Sequence, residues 1–139
     1  MGMIDDGLRA AITNAVDATA TNTKLRLNVA LAYGARQDIV AAARMLATEA
    51  AGGLLDPEDI TEDLLGEHLA SRTLPADLRN PDLLVRPGGE RRVSNFLLWE
   101  LAYTELYFAD VMWPEFGEKD FAQALGWYAG RQRRFGTRG

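Results

Sequence analysis

At 139 residues, with 47% apolar and 25% charged side chains, the chain has the size and makeup of one globular domain. A net charge of −5 argues against general nucleic-acid binding, and the absence of cysteine excludes disulfide and thiolate chemistry and fits a cytoplasmic protein. No apolar run approaches the roughly 18–20 residues that span a bilayer, and Asp5 and Asp6 stand where a signal peptide would be basic.

Those two aspartates favour a helix start through the macrodipole. Leu8, Ile12, Ala15, Val16 and Thr19 follow at helical spacing, and Thr21-Asn22-Thr23 ends the helix. Leu25, Leu27, Val29 and Leu31 then alternate, which predicts a strand closing at Tyr33-Gly34. Asn28 inside it would be buried and would need a partner, most simply a neighbouring backbone group. A helix is expected from Asp38 to Ala51, burying Ile39, Ala43, Leu46 and Ala50 and stopped by Gly52-Gly53. Arg36, at the turn between strand and helix, reads first as a surface charge and second as an anion contact. Asp56-Pro57 opens a turn. Thr61 to Ser71 then reads as a helix burying Leu64, Leu65 and Leu69. His68 lies near that apolar face, and with no other His and no Cys in the chain it reads as packing.

Chemistry concentrates between Pro81 and Trp99. Leu83 to Val85 is a short aliphatic run suited to a buried strand, and Pro87-Gly88-Gly89 breaks it. Arg86, Arg91, Arg92 and Ser94 follow within nine positions. Open parallel sheets bind ligands outside the carboxyl ends of their strands. Helix-start N–H groups attract anions, Ser94 or Asn95 can cap such a start, and arginine forks match phosphate oxygens in pairs. An oxyanion site for phosphate or diphosphate and a set of solvated arginines pairing with Glu90 and Asp82 fit these residues about equally.

Asn95 to Ala102 is apolar on most faces and predicts a helix covered on both sides or sitting at a subunit contact. Tyr103 to Trp113 predicts a strand. Glu105, one carboxylate among Leu106, Tyr107 and Phe108, is costly to bury unless it is paired or on a metal. A salt bridge to a central arginine and a magnesium site are even choices. The last helix, about Lys119 to Arg134, should bury Phe121, Leu125 and Tyr128, with Arg131, Arg133 and Arg134 as dipole partners. The order α-β-α-α-β-α-β-α implies an α/β fold with about three parallel strands flanked by helices. Its open sheet edge would recruit a partner. No Walker loop, Gly-x-Gly-x-x-Gly run or nucleophile elbow is present, so another kind of phosphate enzyme is disfavoured.

The run Asp82-Leu-Leu-Val-Arg86-Pro-Gly-Gly-Glu90-Arg-Arg92-Val-Ser94-Asn95-Phe-Leu-Leu-Trp99 resembles the C-terminal signature of the cis-prenyltransferases, the undecaprenyl or decaprenyl diphosphate synthase family. The resemblance continues through Ala102-Tyr-Thr-Glu105-Leu-Tyr-Phe108, Trp113-Pro114 and Arg133-Arg134-Phe135-Gly136. Upstream, Leu25 to Arg36 is similar to the family's Asn-Tyr-Gly-Gly-Arg strand end. It covers about residues 8 to 136 and implies the C-terminal part of that fold, with residues 1–139 as a single partial domain. Members condense isopentenyl diphosphate with an allylic diphosphate, using Mg²⁺. The resemblance assigns Arg86, Arg92 and Ser94 to isopentenyl diphosphate, Glu105 to the metal, and Arg134 and Gly136 to a diphosphate contact across a dimer.

Two substitutions depart from the pattern: Pro87 stands where Thr is common, and Arg91 where His or Gln is common. The family's Asp-Gly-Asn-Gly-Arg loop, which carries the catalytic Asp, occurs nowhere in this sequence. No catalytic residue is therefore assigned, and the chain alone is expected to be inactive. It would act as a homodimer or with a complementary N-terminal or partner chain, and its lipid product would bring it to a membrane surface. The alternative is a non-catalytic accessory or dimerisation subunit of a heteromeric prenyltransferase.

Overall fold

Asp5 starts the first helix by accepting a hydrogen bond from the Leu8 amide at 2.8 Å, so α1 runs Asp6–Thr19. In the computed structural model, which describes residues 5–132, it lies in the smaller of two units, residues 1–33, the larger being residues 34–139. The helical spacing is as expected, but no residue of α1 is buried, and Leu8, Ile12 and Val16 are exposed. The strand expected from Leu25 to Tyr33 belongs to no sheet among the described residues. Leu25 and Leu27 are 81% and 80% exposed, and Asn28 is exposed rather than clamped. Alternation supplies a face to bury, but a strand exists only where a neighbour completes its hydrogen-bond ladder.

In the larger unit, α2 spans Ala35–Ala51 and buries Ala35, Ala42 and Leu46. Ala43, expected inside, faces outward. After a 3₁₀ turn at Pro57–Asp59, Thr61 caps α3, Glu62–Gly66, through the Leu64 amide at 3.1 Å. The helix expected to reach Ser71 stops early for a visible reason. The Ala70 amide, which would bond to the Gly66 carbonyl, instead donates to both carboxylate oxygens of Asp38 on α2 at 3.1 Å. A 3₁₀ turn, Ala70–Thr73, follows, and Leu69 at the junction is fully buried. His68 also ties this segment to α2, with Nδ1 2.8 Å from the Leu64 carbonyl and Nε2 3.3 Å from Glu49 Oε1.

Strands β1, Leu83–Arg86, and β2, Glu105–Phe108, pair in parallel with Leu83 opposite Glu105 and Arg86 opposite Phe108. The fold is α/β, a two-stranded parallel sheet flanked by helices. Between the strands, the helix expected over Asn95 to Ala102 is replaced by turns and a 3₁₀ helix, Glu100–Tyr103. Ser94, Asn95 and Leu97 have φ of 49°, 63° and 44°, left-handed values that no α-helix accommodates. Glu100 is 4% exposed, and its Oε1 has no hydrogen-bond partner among the described residues.

The last helix, α4, spans Glu118–Ala129 and is started by the Asp120 carboxylate accepting from the Gly117 amide at 3.0 Å. Ala124 is its buried residue, while Phe121 and Leu125 are exposed. It ends at Ala129, capped by Gly130, five residues short of the expected end at Arg134. Among the described residues, no helix is long and apolar enough to cross a membrane.

Candidate diphosphate site

Arg86 closes β1 and projects from the carboxyl end of the sheet, where the order of elements placed it. Its Nη1 donates to Ser94 Oγ at 2.9 Å and also to the Arg92 carbonyl oxygen. These bonds fold residues 87–94 back over the strand end. A hydroxyl that accepts from a guanidinium keeps its own O–H to donate, so Arg86 and Ser94 together offer donors of both kinds.

Pro87 to Gly89 make the turn. Gly88 and Gly89 have φ of 99° and 73°, a region open to glycine at little cost. Their amides donate to the Val111 and Ala109 carbonyls at 2.8 and 2.9 Å. The turn is thereby sewn to the chain leaving β2, and its backbone donors are not directed at an anion. Nor do Ser94 and Asn95 cap a following helix, since none is there. Asn95 instead caps α2: its Oδ1 accepts from the Arg36 amide at 2.8 Å and its carbonyl from the Ala35 amide at 2.9 Å.

The other arginines of the loop reach outward. Arg92 pairs with Glu90, one of the two acids expected to neutralise the loop, and Arg91 Nη2 stands 3.9 Å from Asp110 Oδ1. All four of these side chains are substantially exposed, so the pairs contribute no more than about 1 kcal/mol each. They are loose enough for a multiply charged anion to displace. The Arg36 amide lies one residue from Ser94 through Asn95, and the Arg36 side chain is exposed.

Glu105 is placed differently. It pairs with Leu83 at the opposite end of the sheet from Arg86, about 10 Å along the strand. Strand alternation also sends the two side chains to opposite faces. On the Glu105 face sits α4. Arg131 Nε, just beyond that helix, donates to Glu105 Oε2 at 3.0 Å. The Arg131 guanidinium lies 5.0 Å from the Trp127 ring centroid, and Trp127 packs at 5.3 Å against Tyr107, which shares the face with Glu105. The salt bridge exists, but to Arg131 rather than to a central arginine. The chain therefore brings Arg86 and Ser94 together, keeps Arg92 beside them, and holds Glu105 apart.

Whether magnesium suits Glu105 can be judged from its donors. Mg²⁺ takes oxygen ligands and often only one or two carboxylates, the remainder coming from phosphate and water. Among the described residues, no group of three or more His, Cys, Asp or Glu is arranged for a metal. Glu105 supplies one hard oxygen donor, which fits such a minimal set once Arg131 has moved off it. Arg134 and Gly136, assigned to a contact across a dimer, lie outside the described residues.

Two contributors escape a linear reading. Asn95 reads as a candidate cap for the helix expected after it; its tolerance of left-handed φ is the signal that points elsewhere. Arg131 reads from the sequence as a dipole partner, whereas just past the end of α4 it reaches Glu105 and the Trp127 ring.

Over residues 1–136 the chain matches the sequence model of a family described as putative undecaprenyl diphosphate synthase. It is 54% identical over 132 residues to a ditrans,polycis-undecaprenyl-diphosphate synthase, (2E,6E)-farnesyl-diphosphate specific, of Xylella fastidiosa, across 95% of this chain and 50% of that protein. An isoprenyl transferase of Geobacillus kaustophilus is 49% identical over 133 residues, across 96% and 50%. Among solved structures, lavandulyl diphosphate synthase from Lavandula x intermedia, in complex with dimethylallyl diphosphate, aligns with a TM-score of 0.89 at 41% identity. That alignment takes in 97% of this chain and 56% of the other. A probable undecaprenyl diphosphate synthase from Campylobacter jejuni gives a TM-score of 0.73 at 31% identity, across 97% and 59%. The chain spans about half the length of the curated relatives it matches.

Proposed function

The chain belongs to the undecaprenyl diphosphate synthase, or cis-prenyltransferase, family, and from that premise we propose that it supplies the isopentenyl diphosphate site of an isoprenyl diphosphate synthase. The observation that carries this reading is the Arg86–Ser94 pair, 2.9 Å apart at the tip of a parallel strand and enclosed by a glycine turn. Arg86 and Ser94 grip the diphosphate of the nucleophilic substrate. Arg92 leaves Glu90 to add a second guanidinium.

In the reaction, the allylic carbon–oxygen bond breaks and diphosphate departs with the electron pair. The isopentenyl double bond attacks the resulting cation to form a carbon–carbon bond, and a proton is lost to set the new cis double bond. Arginine and hydroxyl donors contribute by fixing the substrate and by meeting charge where it resides. When bound, magnesium would neutralise diphosphate oxygens, with Glu105 as its protein ligand.

The opposed positions of Glu105 and Arg86 on one sheet support a homodimer in which Glu105 serves the site of the second copy. The test is isopentenyl diphosphate titration, by calorimetry and by turnover, of the enzyme containing this segment together with whatever chain completes it. Saturable uptake that disappears in Arg86→Ala supports the assignment. Undiminished uptake in that variant removes it.

One observation favours the accessory-subunit alternative: Glu105 is already neutralised by Arg131. On that reading the chain binds diphosphate without turnover and raises the rate of a separate catalytic chain. Mixing this chain with an active family member, and finding its rate unchanged, argues against it.

A further inference from the structure

We propose that Asn95 is a positioning residue for the bound diphosphate, holding the Ser94 hydroxyl in receiving geometry beside Arg86 by clamping its loop to the start of α2. The inference rests on the reading of Arg86 and Ser94 given above.

Three contacts from this one residue converge on the same helix end. The Asn95 carbonyl accepts from the Ala35 amide at 2.9 Å, and Oδ1 accepts from the Arg36 amide at 2.8 Å. Nδ2 donates to Gln37 Oε1 at 3.1 Å. The approach is close enough that a Cβ on Gly34 would stand 2.8 Å from Asn95 Nδ2 and 2.5 Å from Gln37 Oε1. Only glycine leaves the room the clamp uses.

On the other side of Asn95 the backbone is under steric load. Ser94 and Asn95 are the central residues of a turn closed by the Phe96 amide on the Val93 carbonyl at 3.1 Å, and at Ser94 and Leu97 the left-handed φ is costly for the side chain. A loop strained in this way relaxes unless its surroundings hold it. The holder is α2, a 17-residue helix with Ala35, Ala42 and Leu46 in the core. Ser94, joined to Asn95 by one peptide bond, places its Oγ 2.9 Å from Arg86 Nη1. The position of that hydroxyl is therefore inherited from α2 through Asn95, although Asn95 is not placed to touch substrate. Sites held by rigid elements through a supporting shell are more precise than sites left to a loop.

The experiment is calorimetric titration of inorganic pyrophosphate and of isopentenyl diphosphate into the chain, with a melting curve for every variant. Asn95→Ala should weaken both ligands about tenfold or more, as loss of orientation does. Asn95→Gly keeps the left-handed backbone accessible and removes the side-chain clamp, and it should fall with the alanine variant. Should Asn95→Ala fail to fold, Asn95→Gly carries the comparison, together with Gln37→Ala, which deletes one contact and should cost about threefold.

The decisive readout is coupling. In a Ser94→Ala background, Asn95→Gly should cost less than about twofold more, because the group it positions is already gone. An undiminished loss there would make Asn95 a structural residue only, and wild-type affinity in Asn95→Gly would overturn the clamp. In either case Arg86→Ala separates the two failures. If it abolishes binding while Asn95→Gly does not, the site stands and the positioning role falls. If Arg86→Ala binds as wild type does, the site assignment falls and the positioning role with it.

Discussion

Arg86 and Glu105 are charged residues on paired strands of one small sheet, three register positions apart, and they meet opposite fates. Arg86 lies at the carboxyl end, on a face whose next residues are a turn and a left-handed loop. Among the described residues its hydrogen-bond partners are a hydroxyl and a carbonyl, so there its charge is solvated by dipoles and not cancelled. Glu105 lies at the other end, beneath α4, where Arg131 neutralises it and Trp127 braces Arg131 against Tyr107. A positive group left uncancelled is prepared for an anion from outside. A negative group already cancelled can take a metal only if its present cation moves. The difference separates the end of the sheet proposed to recognise the anion from the end that is, within one chain, closed.

The largest expected effect breaks the first half of this contrast. Arg86→Ala in the completed enzyme should lower isopentenyl diphosphate turnover by about 10²–10³-fold, as expected for removing a fixed donor from a developing or bound charge. Steady-state kinetics check it. Arg92→Ala should cost about tenfold, because its side chain is exposed and shared with Glu90. Equal and negligible losses in the two would show that the uncancelled charge is merely solvated.

Glu105→Gln addresses the second half. It removes the charge and leaves the shape, so the magnesium concentration for half-maximal turnover should rise about tenfold. An unchanged magnesium titration would assign Glu105 to the Arg131 bridge alone. Arg131→Gln sharpens the same point from the other side. Loss of the partly exposed bridge and of the contact with Trp127 should cost about 1–2 kcal/mol of stability. If Arg131 competes with the metal, the half-maximal magnesium concentration should also fall. A melt that shifts with no change in magnesium dependence would make Arg131 a structural partner and nothing more.

How much of this was legible in the chain depended on the range of the interaction responsible. Asp5 starting α1, the strand expected at Leu83 to Val85 and the Pro87-Gly88-Gly89 turn are set by neighbours within a few residues, and the structure has them, the strand one residue longer. The helix expected after Asn95 is absent, and there the residue bonds to Ala35, Arg36 and Gln37, some 58–60 residues away, with its backbone left-handed. Apolar content alone could not reveal that. Likewise the helix at Glu62 ends where Asp38 captures the Ala70 amide, an event 32 residues distant in sequence. The alternating segment from Leu25 shows the opposite limit, since periodicity specifies a face and not the ladder that makes it a strand. In the site, Arg86, Ser94 and Arg92 were legible as a cluster because the loop is local. Arg131 on Glu105 was not, because pairing required knowing which face of β2 meets α4.

The smallest effect tests whether the recognising end owes its shape to its turn. Gly88 has φ of 99°, and a Cβ placed there would meet nothing within 4 Å. Any cost of Gly88→Ala must therefore come from the backbone and not from a clash. Left-handed placement of alanine costs about 1–2 kcal/mol, and the turn can yield only by loosening the Gly88 and Gly89 amides from Val111 and Ala109. Chemical denaturation should show the loss as a lower midpoint with an unchanged slope. Isopentenyl diphosphate affinity should weaken by about threefold or less, because Ser94 is anchored through Asn95 and not through the turn. If affinity instead fell as far as it does in Arg86→Ala, the glycine turn rather than the α2 contact would be what shapes the anion end of the sheet.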